Sequence, residues 1–203
     1  MEQENLNKIQ ALFERSIALK QEVINHHLGV IVEMADIITQ SLTQGGKILL
    51  CGNGGSAADA QHIATELLVR LRPHVNRQSV PALALAFDSS ALTASGNDYG
   101  FDSHFERMTQ GLGQKGDVLL GITTSGNSKN VIRALQAARK KEMAALAFLG
   151  SGGGPALPEC DLALVVPSNE TGRIQEVHIT AGHALMELVE DQLLAADYLT
   201  LTE

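Results

Sequence analysis

The hydrophobic rhythm of the chain changes once, at a Gly-Gly pair, and the change divides it into two predicted parts. From Leu6 to about Leu42 apolar residues recur at helical spacing: Leu6, Ile9, Leu12, Phe13 and Ile17, then Val23, Ile24, Leu28, Ile31, Ala35 and Ile38. This predicts two helices with a break near Gly29. Their apolar face is wide for a lone surface helix, so it needs the sheet or another subunit to cover it. After Gly45-Gly46 come five short apolar runs: KILLC (47–51), ALALAF (82–87), DVLLGI (117–122), AALAFL (144–149) and DLALVV (161–166). Each is continuous rather than alternating, the pattern of parallel strands buried on both faces. Helical stretches over about 57–71, 103–112 and 128–141 separate several of them, and a long helix over about 172–195 follows the last. The alternation predicts an α/β architecture: a five-stranded parallel sheet between helices over 44–203, with residues 1–43 as an N-terminal helical extension.

Composition sharpens this picture. Hydrophobic residues make up 44% of the chain and charged residues 19%, which excludes disorder. With 3% aromatics and no Trp, the core has to be aliphatic. A net charge of −8 excludes broad, non-specific nucleic-acid binding, which needs clustered Lys and Arg. It leaves room for a local anion site built from backbone N–H groups. Cys51 and Cys160 match no metal-ligand spacing, and Cys51 ends an apolar run, so it reads as a small buried hydrophobe. The polar N-terminus MEQENLNKIQ has no leader pattern and no apolar run is long enough to span a membrane, so a cytoplasmic protein is expected.

Two loops carry candidate chemistry. CGNGGSAADAQH follows the first strand; Gly52, Gly54 and Gly55 allow close backbone approach, and Ser56 with Asp59 has the spacing of a capping box. A helix N-terminus would then face whatever lies above the strand, a good place for an anion or a sugar hydroxyl. A tight strand-to-helix connection would use the same glycines. GITTSGNSKNVIRA follows the third strand; Thr123, Thr124, Ser125 and Ser128 place four hydroxyls around Gly126, and Asn127 or Ser128 can cap the next helix. Hydroxyls and free helix N–H groups bind phosphate with little basic charge. Two such loops on one sheet favour a ligand site over two plain turns. GSGGG (150–154) has no hydroxyl cluster beyond Ser151 and reads as a flexible turn.

Candidate acid–base and metal-binding residues lie on two helices. His62 and Glu66 are four apart, about 40° on the helical wheel, so they share a face and could hold one metal ion. RIQEVHITAGH on the last helix offers Gln175, Glu176, His178 and His183. Glu176 and His183, seven apart, fall nearly on one face, while Gln175 and His183 are offset by about 80°, so spacing does not choose among them. In SGNDYGFDSHF (95–105), Asn97 and Asp98 read as a turn beyond the second strand, with polar groups that could reach the same site.

CGNGGSAADAQH, GNDYGF, GDVLLGITTSGNS and RIQEVH…H, in this order and spacing, resemble the bacterial sedoheptulose-7-phosphate (phosphoheptose) isomerases. The similarity runs from the N-terminal helices to about Leu194. It implies a flavodoxin-like, three-layer SIS (sugar isomerase) domain and a homotetramer with active sites at subunit interfaces. It implies conversion of D-sedoheptulose 7-phosphate to D-glycero-D-manno-heptose 7-phosphate, a step toward the heptose of lipopolysaccharide core. By resemblance, Thr123, Thr124, Ser125 and Ser128 would hold the phosphate. Asn53, Gly54, Gly55, Ser56, Asn97 and Asp98 would line the sugar, with Glu66 and Gln175 also reaching it. His62, Glu66, Gln175 and His183 would bind zinc. Glu66 and His183 would be the catalytic pair. The chain departs from the family at position 123, where Thr replaces the usual Ser, and in LRPHVNRQSV (71–80), which differs from the usual loop around an Arg-Pro. A related tetramer that binds the DnaA replication initiator shares the fold and much of these motifs. There the Glu of the first helix and the final His are replaced, whereas this chain keeps Glu66 and His183, which favours the isomerase.

Overall fold

The computed structural model describes residues 1–201. Five parallel strands, β1 (Ile48–Gly52), β2 (Ala82–Ala84), β3 (Val118–Thr123), β4 (Ala144–Leu149) and β5 (Leu162–Val165), form one sheet in the order β2-β1-β3-β4-β5. This is the flavodoxin-like order. The register pairs Ile48 with both Ala82 and Val118, Val118 with Ala144, and Leu146 with Leu162, so all five strands end at one edge.

The continuous apolar runs resolve into two faces. Ile48, Leu50, Val118, Leu120, Ile122, Leu146 and Phe148 enter one core with helices α2 (Leu28–Thr43), α3 (Gly55–Thr65) and α7 (Thr171–Ala195). Leu49, Cys51, Leu119, Ala145, Ala147 and Leu149 enter the other, with α5 (His104–Leu112) and α6 (Lys129–Lys140). Successive side chains of a strand point to opposite faces, so only two-sided burial explains why every position is apolar. β2 is shorter than the run ALALAF: the strand ends at Ala84, and Phe87 is exposed.

The first helix, α1 (Glu2–His26), is separated from α2 at His27, two residues before Gly29. Helix α2 buries Ile31, Met34, Ala35, Ile38 and Leu42 against the sheet layer. Along α1 only Val23 is buried, while Leu6, Ile9, Phe13, Ile17 and Ile24 remain exposed. Among the described residues, no helix is long and apolar enough to cross a membrane.

The segment 95–105 differs from its expected turn. Helix α4 (Ser89–Tyr99) is capped by Asp88, whose carboxylate accepts from the Ala91 N–H at 2.9 Å, and Gly100 ends it at φ 84°. A strong cap outweighs the turn preference of Asn and Asp, so Asn97 and Asp98 lie in the last turn of a helix.

Helix α7 crosses the β4 end through His178, which is fully buried beside Phe148 and whose Nε2 lies 3.1 Å from the Leu149 carbonyl. Burial pushes this imidazole down to about 4, against the opposing pull of that hydrogen bond. The unfolded chain therefore binds a proton near pH 6.5 that the folded chain refuses until about pH 4, and folding stability falls as pH drops through that window. Urea unfolding of the wild type should lose stability between pH 6.5 and 4.5 more steeply than that of His178→Gln; parallel profiles would rule this out.

Candidate active site

In an open parallel sheet the ligand crevice lies beyond the strand ends where the strand order reverses, here between β1 and β3. The loops after these two strands are the two glycine-rich segments. They are tied together by Asn53 and Asn130, whose side-chain amides exchange two hydrogen bonds of 2.8 and 2.7 Å. Asn130 is buried in the first turn of α6 and also accepts from the Val131 N–H at 3.0 Å. No periodicity in the sequence marks it out.

In the first loop Gly54, at φ 55°, is the N-cap of α3. Ser56 is buried inside the helix and makes no capping bond, and the Asp59 carboxylate keeps Oδ2 buried without a partner among the described residues. The expected capping box is absent because the chain enters the helix two residues earlier, through a conformation suited to glycine. Burial raises the Asp59 pKa, with nearby His62 acting in the opposite direction. Gly55 has a specific reason to lack a side chain: a Cβ there would lie 2.5 Å from Nε2 of Gln175. The amide of Gln175, from α7, thus occupies the space above the N-terminus of α3. Cys51, just before the loop, faces the opposite core, and burial pushes its thiol up to about 12.

In the second loop Thr123 Oγ1 lies 2.9 Å from Ser128 Oγ, so the Ser128 hydroxyl turns toward the strand end rather than capping α6, whose N-cap it occupies. The Ser125 Oγ accepts from the Asn127 N–H at 3.1 Å. Thr124 and Ser125 are half-buried beside them. Gly126, at φ 66°, packs on the backbone of Gly153 and Gly154, and its carbonyl accepts from the Ala156 N–H at 3.0 Å. The GSGGG segment is therefore a buttress under the hydroxyl loop rather than a flexible turn.

Helix α3 carries His62 toward α7. His62 Nε2 is 2.8 Å from His183 Nε2 and 3.2 Å from Glu66 Oε1, and one ligand atom from each of the three residues lies within 4.8 Å of the others. Two imidazole nitrogens and a carboxylate converging on one point form a donor set that suits a divalent metal such as zinc. Glu66 is buried, at 8% exposure. It opens a π-helical turn (Glu66–Arg70) that continues α3. Glu176, which spacing alone paired with His183, instead receives a hydrogen bond from Arg173. Asn97 and Asp98 are exposed at the end of α4 and bond to each other at 2.8 Å.

A doubly wound sheet with hydroxyl-rich loops at its switch point defines a SIS-domain protein, and the model of that family matches residues 11–150. Phosphoheptose isomerase of Chlorobaculum parvum is 53% identical over 88% of this chain and 86% of its own length. That of Aquifex aeolicus is 49% identical over 93% and 97%. The structure of phosphoheptose isomerase from Neisseria gonorrhoeae superposes with a TM-score of 0.86 at 44% identity, covering 92% of this chain and 98% of the other. The Francisella tularensis structure gives 0.88 at 38%, with the same coverage. The chain belongs to the phosphoheptose isomerase family of SIS-domain proteins and is an isomerase.

The tightest steric demand in the site is at Gly126. Alanine there would combine a left-handed backbone with a collision against the Gly153 carbonyl. Gly126→Ala should cost at least about 2 kcal/mol in urea unfolding. Its KM for phosphosugar should rise by more than its kcat falls.

Proposed function

We propose that the protein interconverts D-sedoheptulose 7-phosphate and D-glycero-D-manno-heptose 7-phosphate through an enediol. The observation that carries this reading is the convergence of His62, Glu66 and His183 on helices α3 and α7, where α3 follows one of two loops tied together by Asn53 and Asn130. The relatives' name supplies the substrate class.

The phosphate sits on the hydroxyls of Thr123, Thr124, Ser125 and Ser128, with the N-terminus of α6 beneath it. The sugar runs along Asn53, Gly54, Gly55 and Ser56 toward the triad, where Glu66 and Gln175 also face it. Asn97 and Asp98, at the end of α4, also line the sugar. Moving a carbonyl from C2 to C1 takes a proton off C1, returns one at C2, and transfers one between the two oxygens. Glu66 exchanges the proton at carbon. His183 exchanges it at oxygen.

His62, Glu66, Gln175 and His183 would hold zinc, which when bound supplies Lewis-acid polarisation of the carbonyl oxygen. The exposed stripe Leu6, Ile9, Phe13 and Ile17 on α1 supports a homotetramer in which such helices cover one another and sites lie near the interfaces. Placement in the cytoplasm and supply of heptose for lipopolysaccharide core complete the proposal.

Purified protein incubated with sedoheptulose 7-phosphate and followed by NMR should form the aldose product, and chelation should reduce the rate with zinc restoring it. Glu66→Gln should lower kcat by at least about 10³-fold while leaving the melting temperature within a few degrees. Absence of conversion by wild type, or retained activity in that variant, would refute the assignment.

A further inference from the structure

The departing loop 71–80 contributes two arginines that converge on one buried carboxylate. Glu190 of α7 is 1% exposed and accepts from Arg77 Nε and Arg72 Nε, each at 2.6 Å. Arg72 also reaches Asp191 at 2.6 Å. Arg77, 7% exposed, extends the rest of its guanidinium to backbone oxygens: the carbonyls of Leu67 at 2.9 Å and Gln78 at 3.0 Å through Nη1, and that of Glu66 at 2.8 Å through Nη2. Near a helix end, carbonyls run short of intrahelical donors, and a planar guanidinium can serve several at once.

Glu66 is therefore fixed twice to the same helix. Its side chain meets His62, which meets His183 of α7. Its backbone is held by Arg77, which is held by Glu190 of α7. His183 and Glu190 are seven residues apart on α7, two turns along nearly one face, so their separation is set by a rigid element. We infer that Arg77 is a positioning residue, which through Glu190 locks the first π-turn carbonyls and so sets the Glu66 carboxylate against His62 and His183. The inference rests on the metal-binding reading of that triad.

The test compares full-length wild type, Arg77→Lys and Arg72→Lys. Lysine at 77 keeps the charge but replaces with one nitrogen the three that reach Glu190 and the carbonyls of Leu67 and Glu66, so the planar fork is lost. Zn2+ affinity, measured by competition with a chromogenic chelator, should fall on the order of 10–100-fold in Arg77→Lys. Its kcat should fall similarly, and KM should stay within about twofold because the hydroxyl loop lies on other elements. Arg72→Lys touches the same carboxylate without reaching residues 66–67 and should keep both values. Wild-type zinc affinity and kcat in Arg77→Lys, or equal losses in Arg72→Lys, would overturn the inference. If Arg77→Lys does not fold, Glu190→Gln takes its place, with the same loss expected and an unchanged variant counting against it. A wild type that binds no zinc would sink the metal reading alone. A crystal structure of the metal-free variant would then decide for Arg77: Glu66 drawn away from His62 supports it, and the 3.2 Å contact retained refutes it.

Discussion

Pairing β1 with β3 in parallel brings two strand-to-helix turns out of the sheet side by side, and the site is built on that adjacency. Each turn opens a helix, so two positive helix ends lie at the switch point, although at α3 the Ser56 and Ala57 N–H groups bond back to the Asn53 and Gly54 carbonyls. The Asn53–Asn130 exchange holds the turns in register, and the glycine segment after β4 supports the second from below.

Helix α7 is the second organising element. It places Gln175 over Gly55, anchors on the end of β4 through His178, presents His183 to His62, and secures Arg72 and Arg77 through Glu190. These positions span sixteen residues of one α-helix, so errors in one contact are limited by the others. Rigidity of this kind keeps a constellation of side chains within the fractions of an ångström that acid–base chemistry demands.

The sheet was legible in the sequence because continuous aliphatic runs have few ways to be buried, and the strand limits moved by only a residue or two except in ALALAF. The triad was half legible: the spacing of His62 and Glu66 is a property of one helix, whereas the choice of His183 over Glu176 depends on how α7 crosses α3. Arg77 and Asn130 left no trace in periodicity, since their roles consist of bonds to backbone or to a single distant amide. Local turn preference puts Asn97 and Asp98 in a turn, whereas the cap at Asp88 carries the helix through them.

The cysteine at the foot of the first loop has a consequence for durability. A thiol so close to a ligand loop is commonly where peroxide or an electrophile disables an enzyme, since the thiolate is the reacting form. With its pKa near 12 and its sulfur sealed in the far core, Cys51 holds a thiolate fraction of only ~10⁻⁵ at neutral pH. Cys160 is raised to the same level, first by burial and then by Asp161 and Glu159. Neither thiol is in the reactive form beside the candidate site.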